Sequence, residues 1–137
     1  MNRRILLLVV CFGLAAFAVA EDRIHLTGKL AAMPDKTDKT VGLKLKDKTI
    51  VLAGDDEYLA AILGDERLIG KALQLSGFWK EKDKRFQVTE IFSVHDGKLH
   101  HITYWCDVCN VGASKPGPCI CCLQPVDLRE IPVEEKK

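Results

Sequence analysis

This sequence has almost no surplus of charge of either sign. Its 137 residues carry 20 Lys and Arg against 19 Asp and Glu, a formal +1. A general nucleic-acid binder needs a basic patch to neutralise phosphates, so no nucleic-acid partner is expected. The signatures of common enzyme classes are missing too. There is no Gly-rich phosphate cradle, no G-x-S-x-G nucleophile turn and no H-E-x-x-H pair. No repeat or low-complexity stretch is present. Beyond residue 20, no run is apolar for the roughly 20 residues a bilayer-spanning helix needs. What is left is a small, non-repetitive chain with no constellation for hydrolase or transferase chemistry.

The first twenty residues have the pattern of an export signal. Arg3 and Arg4 form a short basic start, Ile5 to Val19 is almost wholly apolar, and Ala18-Val19-Ala20 precedes the acidic Glu21-Asp22. Cleavage after Ala20 is expected, which places the protein in the periplasm or outside the cell, with no stable membrane span. The loss of Arg3, Arg4 and Cys11 leaves 18 basic against 19 acidic residues, and five of the six cysteines. The remainder has the size of one domain with one core, plus a small appendage.

Alternating patterns predict strands. Ile24, Leu26 and Leu30 lie in phase, and the strand ends near Met33-Pro34. Residues 35–40 (DKTDKT) read as a polar loop. Val41, Leu43 and Leu45 give a second strand, Asp47-Lys48 a turn, and Thr49 to Leu52 a third strand. Asp55 or Asp56 can cap a short helix whose apolar face is Tyr58, Leu59, Ile62 and Leu63, with Gly64 as its stop. Leu73, Leu75 and Trp79 share a face of a fourth strand. Phe86, Val88, Phe92 and Val94 are in phase on a fifth, with Glu90 marking a bulge or an edge. Asp96-Gly97 is a hairpin turn leading into a sixth strand, Leu99 to Trp105. Three strands, a helix, then two strands resemble the OB-fold, a small Greek-key barrel. The expected fold is therefore mainly β: an OB-fold-like antiparallel barrel with one short helix over residues 21–105.

The cysteines are what stand out. Five fall between Cys106 and Cys122: Cys106, Cys109, Cys119, Cys121 and Cys122. Two C-x-x-C pairs joined by a loop are the arrangement by which thiolates surround a tetrahedral zinc ion. Asn110 tolerates the left-handed conformation such a turn requires, and Pro116-Gly117-Pro118 reverses the chain before the second pair. With Cys119 and Cys122 as that pair, Cys121 is surplus. The competing set takes Cys121 and leaves Cys122 spare. Disulfides are the alternative in an exported chain, and five thiols leave one over in either case. An iron–sulfur centre or copper(I) also suits soft thiolates. His100 and His101 are candidate auxiliary ligands, while Trp105 and Tyr104 are expected to cover the site with apolar surface. Residues 106–130 thus read as a zinc-ribbon-like loop, in which Arg129 is free to pair with Glu130 or another carboxylate. Residues 131–137 read as a charged tail.

The pattern HxxxYWCDVCN…PGPCICCLQPVDLRE, behind a signal and a small β domain, resembles that of small exported bacterial proteins. The resemblance implies a shared site at Cys106, Cys109, Cys119, Cys121 and Cys122 with the Pro116-Gly117 turn, and brings no activity with it. The expected function is an exported, non-enzymatic binding module with a structural zinc site and an unknown protein or small-molecule ligand. Thiol–disulfide redox or electron transfer is one alternative, and metal trafficking or sensing another.

Overall fold

The computed structural model describes residues 23–34 and 40–134. The expected signal, and nearly all of the loop at 35–40, lie outside them. In chain order come β1 (Ile24–Ala32), β2 (Val41–Lys44), β3 (Thr49–Gly54), α1 (Glu57–Leu63), β4 (Ala72–Lys80), β5 (Arg85–His95), β6 (Lys98–Cys106), β7 (Val111–Ala113) and β8 (Asp127–Pro132).

The apolar alternation puts Leu30 opposite Leu43, and Leu43 opposite Ile50, all buried. β1 pairs antiparallel with β2 on one edge and with β4 on the other, and β4 pairs with β5. A parallel ladder between β3 and β5, with Leu52 opposite Phe86 and Gly54 opposite Val88, closes the ring. The Gln87 amide seals that seam by donating to the Gly54 carbonyl at 2.7 Å. Strand order, ring closure and the helix between β3 and β4 make this the OB-fold-like barrel expected. Asp56 caps α1, its Oδ1 accepting from the Leu59 amide at 2.8 Å, and Ile62 and Leu63 face the core. Tyr58 does not join them. It is 44% exposed, with the Lys115 ammonium 5.7 Å above its ring.

β5 is bulged beside Glu90. Gly77 pairs with Val88 and Ser76 with Glu90, so Thr89 is the extra residue. The bulge reverses which side chains point inward. Phe86 and Val88 are buried before it and Ser93 after it, so Phe92 and Val94 are only half-buried, contrary to the in-phase expectation. Gly77 is required here because a Cβ would collide with the Gln87 carbonyl. Trp79, opposite Phe86, packs edge-on against its ring at 5.3 Å but stays 41% exposed at the barrel rim.

Residues 106–130 are not one loop. β6 runs on past the barrel and pairs with β7 along Tyr104–Cys106 and with β8 along His100–Trp105. β8 takes in Ile131 and Pro132, and the Val133 amide donates to the Leu99 carbonyl at 2.9 Å, so the expected tail starts later. The charges of D-L-R-E-I-P hide this strand in the sequence because they are satisfied across it. Glu130 pairs with Lys71 at 2.7 Å and with His95 at 3.0 Å. The apolar core runs without a break from the barrel into this segment through Tyr104, Cys106, Cys119 and Val126.

Candidate metal centre

Cys106 closes β6 on the same face as Tyr104, and both are buried. The chain turns through Asp107–Asn110 into β7, with Asn110 at φ 55° as its sequence position implied. After β7, the reversal at Gly117 (φ 133°) brings the chain back. There the Val126 amide donates to the Gly117 carbonyl at 3.0 Å and the Cys119 amide to the Gln124 carbonyl at 2.7 Å. A second turn follows, from Cys119 to Leu123, and Leu123 sits at φ 62°. The two C-x-x-C turns therefore share one design, each ending in a left-handed residue directly after its second cysteine. In both, amides point back at the first sulfur. Cys106 Sγ accepts from Val108 and Cys109, and Cys119 Sγ from Cys121 and Cys122. Such bonds orient a thiolate and disperse its charge.

The turns bring four sulfurs together. The Sγ atoms of Cys106, Cys109, Cys119 and Cys122 all lie within 4.8 Å of one another. Cys106 and Cys122 are 3.5 Å apart. Thiolates about 2.3 Å from a central ion stand about 3.8 Å from each other, whereas a disulfide needs about 2.05 Å. The spacing matches the tetrahedron. Of the two registers open from sequence, the geometry selects Cys122 as the fourth member. Cys121 stands outside the set with its side chain exposed. The reason lies in the turn: Cys121, directly before Cys122, gives its amide to the Cys119 sulfur at 3.4 Å and keeps its own side chain exposed.

The electrostatics favour a cation. The amides of Cys122 and Cys121 bring the Cys119 thiol down to about 7. The neighbouring Cys121 and Cys122 sulfurs, with burial, hold the Cys109 thiol far above its usual value. At Cys106 the Cys109 amide pulls downward, but burial and the Cys122 and Cys119 sulfurs outweigh it and the net shift is up. The cluster holds one thiolate readily, and only a positive ion would let it hold four. This donor set fits a soft, tetrahedrally coordinated metal.

No family model, characterised protein or solved structure matches this chain. The chemistry must be read from its own residues.

The histidines do not join the cluster. His100 Nδ1 hydrogen-bonds the Lys98 carbonyl at 3.1 Å, and His101 packs on Phe92 with ring centroids 5.2 Å apart. Arg129 pairs with Asp107 inside the first cysteine turn and lies 5.2 Å over the Trp105 ring, so its partner is a carboxylate other than Glu130. Trp105 is half-buried there.

A second buried network ties the metal centre to the barrel, and sequence reasoning missed it. Asp65 resembles the other acidic residues around α1, which read as caps and surface. It does cap a turn, accepting from the Arg67 amide at 3.0 Å, but it is only 8% exposed. Arg67 donates to Oδ1 through Nε and to Oδ2 through Nη2, each at 2.9 Å, and the Tyr104 hydroxyl donates to Oδ2 at 3.0 Å. Arg67 Nη1 also donates to the Val126 carbonyl at 2.9 Å. Burial works to raise the Asp65 pKa, but the bonds from Arg67 and Tyr104 prevail and hold it below its usual value. Burial, then the carboxylate, pushes the Tyr104 phenol far up. The available signal was Tyr104 itself, a phenol in phase with Cys106 that needs an acceptor once buried.

Proposed function

We propose that this chain is an exported binding module whose cysteine segment is clipped by a structural zinc ion. The observation that carries the reading is the convergence of four sulfurs from two matching turns. A site closed by four protein thiolates leaves no open position for a substrate or an activated water, which favours structure over catalysis. Zinc is preferred over iron or copper because it takes this geometry without redox chemistry and is the usual ion of such clips. Export rests on the composition of residues 1–20.

For the barrel, a ligand is supported by an open cleft of about 430 Å³, lined by Met33, Thr40, Val51, Lys84 and Arg85 among others. Its size lies within the range of small-molecule sites. The dithiol–disulfide alternative has less support. Low-pKa C-x-x-C thiols commonly sit at a helix N-terminus, and here the first pair leads into β7.

The test is intact mass of the purified protein under native and denaturing conditions, with elemental analysis. One zinc per chain, released on denaturation together with free thiols, is the expected result. Less than about half an equivalent of any metal, with the thiols oxidised, would end the proposal.

A further inference from the structure

Among the described residues, nothing covers an apolar surface on the cysteine segment. A groove of about 550 Å³ is lined by Val111, Ala113, Pro116, Pro118 and Val126, among others. β7 borders it, and β7 is the last strand of the sheet, paired with β6 on one side. No residue of β6 lines the groove, so it lies on the outer side of β7, where the strand's free amides and carbonyls are an open template. Ile120 also lines the groove, yet it is 97% exposed. Its turn is closed by the Leu123 amide, which donates to the Cys119 carbonyl at 2.9 Å, and is anchored by the Cys119 amide on the Gln124 carbonyl. The side chain is thus a rigidly mounted knob, with little backbone freedom to lose on docking. Charge is nearly absent. From Val108 to Val126, apart from the cysteines, the one charged side chain is Lys115, and its ammonium stands over the Tyr58 ring at 5.7 Å.

A knob and a hole on one surface, beside an unpaired edge, are what a self-complementary two-fold contact requires. We infer that this face binds a second copy of the chain, with Ile120 of each protomer seated in the groove of its partner and the two β7 edges side by side. A two-fold axis perpendicular to β7 runs those edges antiparallel, so they can form a ladder. Identical faces repel each other wherever one sign of charge dominates. Here a single lysine, already drawn to a ring, is all there is. A lipid surface is the poorer occupant. It is held by several cationic side chains and by interfacial aromatics, and this stretch has one Lys and no aromatic ring. The contact is small, so the dimer is concentration-dependent rather than obligate. This pairing adds to the metal reading and does not rest on which ion, if any, the four sulfurs hold.

The experiment is sedimentation equilibrium of the whole mature chain, as purified, over a range of concentrations. The unsubstituted chain should pass from monomer to dimer as concentration rises. Ile120→Asp puts a charge on a knob that has no packing to lose within the protomer, and Val111→Lys puts one on the wall of the groove. Each should weaken self-association at least about tenfold. Mixed together, the two variants should recover a dimer, because one knob–groove contact then joins opposite charges and the other is native. Thermal melts of each variant alone check that it folds, and should one fail to fold, the mass of the other decides. An unsubstituted chain still monomeric at about 1 mM, or a dimer that survives either substitution, overturns the inference. Variants that stay monomeric when mixed overturn the knob-in-groove pairing. Binding of a monomeric chain to phosphatidylglycerol vesicles, abolished by Ile120→Asp, gives the face to lipid and overturns the inference as well.

Discussion

The Tyr104 hydroxyl donates to Asp65 Oδ2 at 3.0 Å, two residues before Cys106 on the same face of β6. One strand thus carries both a cluster ligand and the bond that locks it to the loop behind α1. Tyr104→Phe keeps the ring and removes the donor, while Arg67 still satisfies the carboxylate. A loss of about 1–2 kcal/mol is expected in urea unfolding, with metal content unchanged. No change in stability would mean that Arg67 alone holds Asp65.

Leu123 is 74% exposed and held at φ 62°. A non-glycine residue in this region costs about 1–2 kcal/mol, and this side chain has little packing to lose. Leu123→Gly should therefore stabilise the protein by about 0.5–1 kcal/mol, the gain being trimmed by the freer unfolded chain. Asn110→Val, at the matching place in the first turn, should destabilise it. Thermal melts of both variants give the signs, and a destabilising Leu123→Gly would contradict the account of the turns.

Glu130 ties β8 to the barrel. Burial opposes its charge, but the bond from Lys71, with His95 and Ser93 beside the carboxylate, wins and holds its pKa at about 2, against a reference of 4.5. Because the folded value is the lower one, the stabilisation is complete above pH 4.5 and is lost as pH falls through about 2. It amounts to at most on the order of 3 kcal/mol. Glu130→Gln should lower stability at pH 7 and have nearly no effect near pH 2. Equal effects at both pH values would show that the charge is not what matters.

Chelation should act locally first. The amides of Val108, Cys109, Cys121 and Cys122 point at sulfur, and their hydrogen-exchange protection should fall when metal is removed. β1 to β5 should keep theirs, since their ladders are independent of the cluster. Protection lost uniformly would mean that the barrel cannot stand without the ion.

Gly77 tests the bulge. A methyl group there meets the Gln87 backbone rather than a movable side chain, so Gly77→Ala should cost about 2–3 kcal/mol. A well-tolerated alanine would place the irregularity elsewhere.

The barrel was legible because its information is local. Leu30, Leu43 and Ile50 announce their faces by alternation, and Asp56 and Gly64 bracket the helix by their own chemistry. The cysteine turns were legible for the same reason, since spacing and Asn110 carry the geometry. Other features depended on residues distant in sequence. Whether Cys121 or Cys122 completes the four is decided by how the second turn aims its side chains. β8 stayed hidden because Arg129 and Glu130 look solvated until Asp107, Lys71 and His95 are placed beside them. Phe92 and Val94 were assigned to the wrong face because one extra residue, Thr89, shifts the phase without changing the pattern. Asp65 reads as one more surface acid until Tyr104 arrives from nearly forty residues on.

The parallel seam between β3 and β5 also sets an order of events. A chain emerging N-terminus first can form the β1–β2–β3 meander early, yet Leu52 has no strand to lie beside until Phe86 follows. Through that interval the far border of β3 is an uncovered template for any passing strand. Maturation of this protein is therefore most exposed to misassembly before its fifth strand appears, and that is when a folding helper would have most to protect.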